Sequence, residues 1–247
     1  MAQESRSTVL AADGINVSFG ALRVLRGLSF AVEPGELVGV VGPNGAGKTT
    51  FFSVLVGALR PMAGRVRFNE EDVTDLPMAT RCRRGLVRTH QVPRPFNGMT
   101  VFENVLVAAE NAGHVHRDVA QQNAIEALRF TDMLTQANRL AESLGLLDRK
   151  RLELSRALAT DPKVLLLDEI GGGLTEAESA GLLEMIRALN ERGISIVWVE
   201  HVVPLLMQAV RRLVCLHDGA IIADGVPNDV IADPVVAEAY LGVGAAR

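Results

Sequence analysis

The chain has 247 residues, a length that fits one large α/β domain or one core with a smaller lobe, and its composition, 48% hydrophobic and 4% aromatic, supports a mainly aliphatic core. Its net charge of −4 offers no general positive field for nucleic acid, and Cys82 and Cys215 form no CxxC pair or disulfide framework. Its apolar runs are shorter than the roughly twenty residues of a spanning helix, and residues 1–7 lack the apolar stretch of a signal peptide. We therefore expect a protein of the reducing cytoplasm.

The first half of the chain alternates between β-like and helical patterns. Short β-like runs predict strands at residues 14–18, 28–32, 37–41 and 65–68, the last of them exposed. Helical patterns predict helices at residues 48–59, 104–110 and 119–130. The strand at 37–41 leads directly into a glycine-rich loop, and the helix at 48–59 follows that loop.

The second half continues the alternation with longer apolar runs. It predicts helices at residues 150–159, 177–190 and 204–210, and strands at 164–167, 194–199 and 213–216. Strands that alternate with helices favour a parallel sheet covered on both faces. The helical stretch 101–160 interrupts this alternation and is the candidate for a separate lobe.

The loop at residues 42–50 matches the phosphate-binding pattern GxxxxGK[ST]. Its glycines let successive N–H groups point at phosphates, and the following helix adds its positive end. Lys48 would reach the β- and γ-phosphates, and the Thr49 hydroxyl would bind Mg²⁺. A glycine turn before an ordinary helix is the structural alternative, which the strand–loop–helix context disfavours. The predicted nucleotide-binding residues here are Gly42, Pro43, Asn44, Gly45, Ala46, Gly47, Lys48, Thr49 and Thr50.

Four further residues complete a candidate hydrolytic site. Asp168 and Glu169 end the apolar strand at 164–167, where Asp168 would hold Mg²⁺ through water and Glu169 would act as general base. The amide of Gln91 could reach Mg²⁺ and the attacking water. His201 follows the strand at 194–199, at the edge where such sheets bind ligands, although a structural histidine is an equal alternative.

A local basic cluster precedes and follows Gln91. Because neither interleaved aromatic residues nor a recognition helix accompanies it, we favour a solvated face over a nucleic-acid patch. Its members are Arg81, Arg83, Arg84, Arg88 and Arg94.

The order of these motifs resembles that of ABC-type ATPases over nearly the whole chain. Three stretches are similar to the ATPase subunits of branched-chain amino acid importers: 100–105 (TVFENV), 151–159 (RLELSRALA) and 233–242 (DPVVAEAYLG). The resemblance implies an α/β fold of the ABC-type P-loop ATPase kind, with a RecA-like parallel-sheet core, an N-terminal antiparallel β part and an inserted α-helical lobe. It implies a single domain over 1–247, with 1–90 and 161–247 forming the core and β subdomain and 91–160 the helical lobe.

The resemblance also assigns roles and partners. It makes Gln91 the Q-loop glutamine, His201 the switch histidine, and Phe19 the ring that stacks on adenine, with a core ring as the alternative for Phe19. ATP and Mg²⁺ are the implied cofactors. The implied partners are transmembrane permease subunits, a second ATPase subunit and, indirectly, a substrate-binding protein, with no nucleic acid. The implied location is cytoplasmic, peripheral on the inner face of the cell membrane. Phe96, Met99 and Phe102 are equally core residues or part of a permease groove.

The chain departs from the family in the segment that usually reads LSGGQ. We call residues 144–148 the signature segment; they read Leu144, Gly145, Leu146, Leu147 and Asp148. In the family this segment reaches the partner's γ-phosphate across a head-to-tail dimer. Here the serine hydroxyl is lost, leucines fill both glycine positions, and a carboxylate about 4 Å from phosphate would be repelled by ~1–4 kcal/mol.

A second departure follows Glu169. Residues 170–175, which we call the glycine segment, read IGGGLT where the family reads PxSALD, so Thr175 replaces an aspartate that contacts the partner. Val202 replaces the aspartate that usually follows the switch histidine. We therefore favour a heterodimer over a homodimer, with a partner that supplies an intact signature segment.

The resulting functional expectation is the ATPase subunit of an importer for branched-chain or other hydrophobic amino acids. Three alternatives stay open: an importer for urea, amides or another solute, a weakly hydrolysing regulatory subunit, and a soluble ABC protein outside transport.

Overall fold

Two β-sheets form the body of the protein in a computed structural model that describes residues 7–113 and 116–241. The strands are β1 Leu10–Phe19, β2 Leu22–Val32, β3 Leu37–Val41, β4 Ala63–Phe68, β5 Glu71–Asp72, β6 Leu86–Arg88, β7 Val164–Asp168, β8 Ser195–Val199, β9 Arg212–His217 and β10 Ala220–Gly225. The helices are α1 Lys48–Leu55, α2 Met78–Arg83, α3 Val101–Asn111, α4 Arg117–Phe130, α5 Leu146–Leu158, α6 Glu176–Glu191, α7 Val203–Ala209, α8 Pro227–Ala232 and α9 Pro234–Leu241, with 3₁₀ turns at Leu134–Gln136 and Ala141–Ser143.

The larger sheet has six strands in the order β10-β9-β3-β8-β7-β6. The strands from β9 to β6 are parallel, and β10 pairs antiparallel with β9 at the edge. Strands β3, β7 and β8 are buried along their whole length, as their unbroken apolar sequences predict. Because parallel strands end at one edge, the segments that follow β3, β7 and β8 meet there.

The smaller sheet is antiparallel, with the order β2-β1-β4-β5. Its buried face and α1 share one apolar cluster with the larger sheet, including Phe30, Phe51 and Phe52. The opposite face of the larger sheet packs against α6 and α7 around Trp198. Helices α3, α4 and α5 enclose a third cluster of their own, including Val105, Leu128 and Leu152. The mixed parallel sheet, the antiparallel sheet and the helical layer together make an α/β fold.

The predicted alternation of strands and helices is confirmed, with differences at the boundaries. The helix predicted at 48–59 ends at Leu55, because Gly57 adopts a left-handed φ of 78°. The helix predicted at 150–159 begins earlier, at Leu146, with Gly145 as its N-cap. The strand predicted as exposed at 65–68 buries Val66 and Phe68 on one face, so that part of the prediction is wrong.

Several short elements were not predicted from the sequence. Helix α2 and strand β6 are six and three residues long, too short for a periodic signal. Strand β10 and helices α8 and α9 follow β9 and extend the fold to residue 241. Among residues 7–113 and 116–241, no helix is long and apolar enough to cross a bilayer.

The prediction of a solvated face for the basic cluster is wrong for Arg81. This side chain is 1% exposed and donates to four backbone carbonyls, those of Val54, Leu55, Thr74 and Leu76. Two of these carbonyls lie at the end of α1, where a helix leaves carbonyls without intrahelical partners. Burial lowers the pKa of Arg81 to about 10, which leaves the guanidinium charged at neutral pH. Arg81 therefore anchors the helix that follows the phosphate loop.

Candidate active site

The loop between β3 and α1 has the backbone shape that its glycines predict. Gly45 and Gly47 adopt φ values of 84° and 103°. A Cβ on Gly42 would lie 2.1 Å from the carbonyl oxygen of Leu216, and one on Gly47 would lie 2.8 Å from Leu25. Side chains at these two positions are therefore excluded by contact as well as by backbone conformation. The loop is held in one curled shape at the edge where the parallel strands end.

Lys48 is buried at the start of α1 and turns back over the loop. Its Nζ donates to the carbonyl oxygens of Gly42 at 2.7 Å and Pro43 at 3.1 Å. Burial lowers the pKa of Lys48, and the negative charges of Glu169 and Asp168 oppose that shift. Thr49 is exposed and lies in the first turn of the same helix. The loop thus presents a cation and a hydroxyl side by side.

Asp168 ends β7 and is paired with Arg88, a residue that sequence reasoning placed in a solvated cluster. Arg88 Nη2 lies 2.6 Å from Asp168 Oδ2, and the two side chains are only 11% and 4% exposed. Arg88 also donates to the Ser53 hydroxyl and lies over the Phe52 ring. The parallel pairing of β6 with β7 brings these two strand ends together. The solvated face predicted for Arg88 is therefore wrong.

Glu169 brings together three of the residues predicted to be catalytic. Its Oε1 lies 2.6 Å from His201 Nε2, and its Oε2 accepts a hydrogen bond from Gln91 Nε2. The Glu169 side chain is 12% exposed and that of His201 is 46% exposed. Gln91 comes from the segment after β6, Glu169 follows β7, and His201 follows β8. The segments that follow three adjacent strands thus place their side chains together at the Glu169 carboxylate.

The backbone after Glu169 is held from two sides. Lys150, on α5, donates to the carbonyl oxygens of Ile170 at 2.7 Å and Glu169 at 3.4 Å. Glu200, which is 1% exposed, accepts hydrogen bonds from the backbone N–H of Gly171 and from the Trp198 indole. Burial raises the pKa of Glu200, although these hydrogen bonds oppose the shift. The glycine segment is therefore fixed by side chains on both neighbouring elements.

The signature segment begins α5. Gly145 is the N-cap, Leu146 is 47% exposed, and Asp148 accepts a hydrogen bond from Gln136 Nε2 at 3.1 Å. Leu146 also rests on the glycine segment, because a Cβ on Gly173 would lie 3.1 Å from its Cδ2. The Asp148 carboxylate is therefore directed to Gln136, and its place in the first helical turn lets it interact favourably with the helix dipole.

Five other positions singled out in the sequence have defined surroundings in the structure. Phe19 ends β1 with 55% of its surface exposed, which excludes the core-ring alternative. Thr175 is the N-cap of α6, where it forms a capping box with Glu178. Phe96 and Met99 are exposed, whereas Phe102 packs against the cluster of α3, α4 and α5.

Three residues of the site were missed in the sequence. Arg88 was grouped with surface arginines, and Lys150 and Glu200 carried no motif assignment. Glu200 directly precedes His201, and Lys150 lies two residues after the signature segment, so both residues stand next to recognisable motifs. Their burial depends on how α5, β7 and β8 pack, which no local pattern encodes.

The site can be compared with known families. A sequence profile described as "ABC transporter" matches residues 25–171, and one described as "Branched-chain amino acid ATP-binding cassette transporter" matches residues 220–246. The first of these spans more than half of the chain and contains the phosphate loop, Gln91 and the end of β7.

Two curated relatives match almost end to end. The high-affinity branched-chain amino acid transport ATP-binding protein BraF of Pseudomonas aeruginosa is 34% identical over 249 residues, covering 95% of this chain and 98% of that protein. The lipopolysaccharide export system ATP-binding protein LptB of Acidithiobacillus ferridurans is 35% identical over 238 residues, covering 96% and 98%.

A solved structure has the same fold. The ADP conformation of an ATP-binding cassette of an ABC transporter superposes with a TM-score of 0.87 at 30% identity, covering 95% of this chain and 99% of that one.

Proposed function

Since this chain belongs to the ABC transporter family of ATPases, we propose that it is the ATP-hydrolysing subunit of an importer for branched-chain or other hydrophobic amino acids. Nucleotide binding and ATP hydrolysis follow from family membership. The specific importer role is supported by the match of residues 220–246 and by similarity to BraF. Its proposed location is the cytoplasmic face of the cell membrane, where it would bind a separate permease.

One observation carries the proposed catalytic assignment: Glu169 contacts both Gln91 and His201. In this arrangement Glu169 accepts a proton from the attacking water as general base. His201 holds one carboxylate oxygen, and the Gln91 amide holds the other. Lys48 binds the phosphate oxygens once it exchanges its carbonyl partners for nucleotide, and the exposed Phe19 ring stacks on adenine.

The donor set also fits Mg²⁺, a cation that prefers oxygen ligands. Thr49 contributes a hydroxyl from an exposed residue, Asp168 a carboxylate at the end of β7, and Gln91 an amide oxygen. Thr49 and Gln91 would bind the ion, and Asp168 would hold it through water. Bound Mg²⁺ would supply positive charge to the phosphates. Asp168 Oδ2 is paired with Arg88 in the structure, so this carboxylate is already ionised and held in place at the end of β7.

We further propose that the active assembly contains a second, different ATPase subunit. The signature segment lacks the hydroxyl and both glycines through which this family contacts the partner's γ-phosphate, and Leu146 and Leu147 occupy the glycine positions. The Asp148 carboxylate is bonded to Gln136 within its own lobe. A partner with an intact signature segment would complete the site of this chain.

The transported substrate is the finer part of the proposal. LptB is 35% identical to this chain, a value comparable to that of BraF, so overall identity does not choose between amino acids and lipopolysaccharide. The match of residues 220–246 to the branched-chain amino acid profile favours amino acids. Neighbouring genes for two permeases, a second ATPase and a binding protein would support the importer.

The test is replacement of Glu169 by Gln, with Glu176→Gln, an exposed glutamate in the first turn of α6, as the matched control. Loss of a general base should lower phosphate release by about 10²–10⁴-fold while ATP stays bound. The control should keep the turnover of the unmodified chain. Unchanged turnover in Glu169→Gln would remove this residue from the mechanism. Equal turnover of the purified chain alone and mixed with its partner would contradict the heterodimer.

A further inference from the structure

A buried lysine that no motif explains lies beside the catalytic carboxylate. Lys150 is 5% exposed and sits in the second turn of α5. Its Nζ donates to the carbonyl oxygens of Ile170 and Glu169 and, among the described residues, has no carboxylate within ion-pair distance. Lysine is rarely buried unless it is paired, since removing an ammonium from water is costly. The burial of Lys150 against these two carbonyls therefore needs an explanation.

Those carbonyls belong to a turn with an unusual backbone. Glu169 has a φ of 50°, in the left-handed region that side chains other than glycine seldom adopt. Such a conformation persists where surrounding contacts hold it, and it is concentrated at functional sites. Lys150 binds the carbonyl of this residue and that of the next one, so its ammonium spans the turn.

Two carboxylates influence the ammonium without forming an ion pair with it. Burial lowers the pKa of Lys150, and the carboxylates of Glu200 and Glu169 oppose that shift. Glu200 in turn fixes the N–H of Gly171, where a Cβ would lie 2.7 Å from Leu205 and 2.9 Å from the Glu200 carboxylate. Lys150 thus holds the carbonyl side of residues 169–171, and Glu200 holds the N–H side.

We propose that Lys150 is a positioning residue for Glu169. Lys150 fixes the backbone turn at Glu169, and this turn directs the Glu169 carboxylate toward Gln91 and His201. The proposal rests on the role of Glu169 as general base. Because Lys150 belongs to the helix that begins with the signature segment, it also joins that segment to the carboxylate of its own chain. A displacement at the start of α5 would therefore reach the backbone of Glu169 through Lys150.

A purely structural role makes a different prediction. A lysine that only stabilised the fold would, when replaced, lower stability and nucleotide binding together. A lysine that aims Glu169 would lower turnover while the phosphate loop, held by separate contacts between β3 and α1, binds nucleotide as before.

The experiment uses the full chain, together with its partner subunits where turnover requires them. Lys150→Met removes the ammonium and keeps the length of the side chain, and Lys150→Arg restores a cationic donor. The matched control is Lys163→Met, an exposed lysine immediately before β7, at the opposite end of that strand from Glu169. Measured quantities are kcat and KM for ATP, ADP affinity by calorimetry, and the urea midpoint by circular dichroism.

We expect kcat of Lys150→Met to fall by about ten- to a hundredfold, the effect of a misplaced catalytic group, with KM and ADP affinity unchanged. Lys150→Arg should recover most of kcat, and Lys163→Met should match the unmodified chain. An unchanged kcat in folded Lys150→Met overturns the proposal. The proposal is also overturned if kcat, ADP affinity and the urea midpoint of Lys150→Met all fall together and Lys150→Arg does not recover kcat.

Glu169→Gln, assayed beside these variants, separates this proposal from the function on which it rests. If Glu169→Gln keeps its turnover, the general-base assignment fails. If Glu169→Gln is inactive and Lys150→Met is fully active, only the positioning role fails.

Discussion

Arg88 provides the cation for the buried Asp168 carboxylate, and replacing it by Met should destabilise the nucleotide-free protein. At 2.6 Å and an effective dielectric of 20, the attraction between the two charges is about 6 kcal/mol. Part of this attraction offsets the cost of removing both groups from water. Breaking a buried pair by removing one partner costs about 3–5 kcal/mol, because the remaining charge is left without compensation. We expect a loss of that size in the free energy of unfolding of Arg88→Met.

Urea unfolding can be followed by the fluorescence of Trp198, the single tryptophan of the chain, which is fully buried beside β3 and β7. The control is Arg60→Met, which breaks the Arg60–Asp75 pair at 2.7 Å between side chains that are 76% and 70% exposed. Exposed pairs contribute about 0–1 kcal/mol, so this variant should stay close to the unmodified chain.

Asp168→Asn supplies the second half of the cycle. It removes the negative charge, so adding Arg88→Met to Asp168→Asn should cost far less than Arg88→Met alone. A loss of less than about 1 kcal/mol in Arg88→Met, equal to that of an exposed pair, would refute the reasoning. Additive losses in the double variant would refute it as well.

Two other replacements test buried charges elsewhere. Arg81→Met leaves four backbone carbonyls without their donor and should lower the free energy of unfolding by about 3 kcal/mol or more; Arg81→Lys should recover little of it, because an ammonium lacks the planar fork. A urea midpoint unchanged in Arg81→Met would contradict this assignment. For Glu200, the folded pKa is raised above 4.5, so the folded chain binds this proton more tightly and loses stability as the pH rises from 4.5 through the folded value. Glu200→Gln should therefore gain stability relative to the unmodified chain as the pH rises from about 4.5 through the folded pKa of Glu200, and a difference that stays constant with pH would contradict it.

The central residues of the site could be predicted from the sequence because their signals are local. A glycine loop between an apolar strand and a helix, and a carboxylate pair at the end of another apolar strand, each need only a few neighbouring residues. The convergence of Gln91, Glu169 and His201 also follows from the rule that parallel strands end at one edge. The structure adds the contacts themselves, with both Gln91 and His201 on the Glu169 carboxylate.

The rest of the site depends on packing between distant parts of the chain. Arg88 and Asp168 are 80 positions apart and meet only because β6 pairs with β7. Arg81 was assigned to a solvated face because its cluster lacks the features of a nucleic-acid patch, yet it is buried and bonds to carbonyls at the end of α1. The short elements α2 and β6, which place both arginines, have too few residues to show a period. Charge patterns therefore gave the wrong environment for two arginines that the fold buries.

Two of the departures from the family pattern, one in the signature segment and one in the glycine segment, lie in contact with each other. Leu146 replaces a glycine in the signature segment, and the surface it meets in its own chain is Gly173, where the family has a residue with a Cβ. A methyl group at 173 would lie 3.1 Å from Leu146, closer than ordinary packing allows. The larger residue on α5 and the smaller one after β7 thus fit each other. Together with the bonds from Lys150 to the carbonyl oxygens of Glu169 and Ile170, this contact joins α5 to the turn at Glu169, so the signature segment stays connected to the backbone of the residue that we propose as general base.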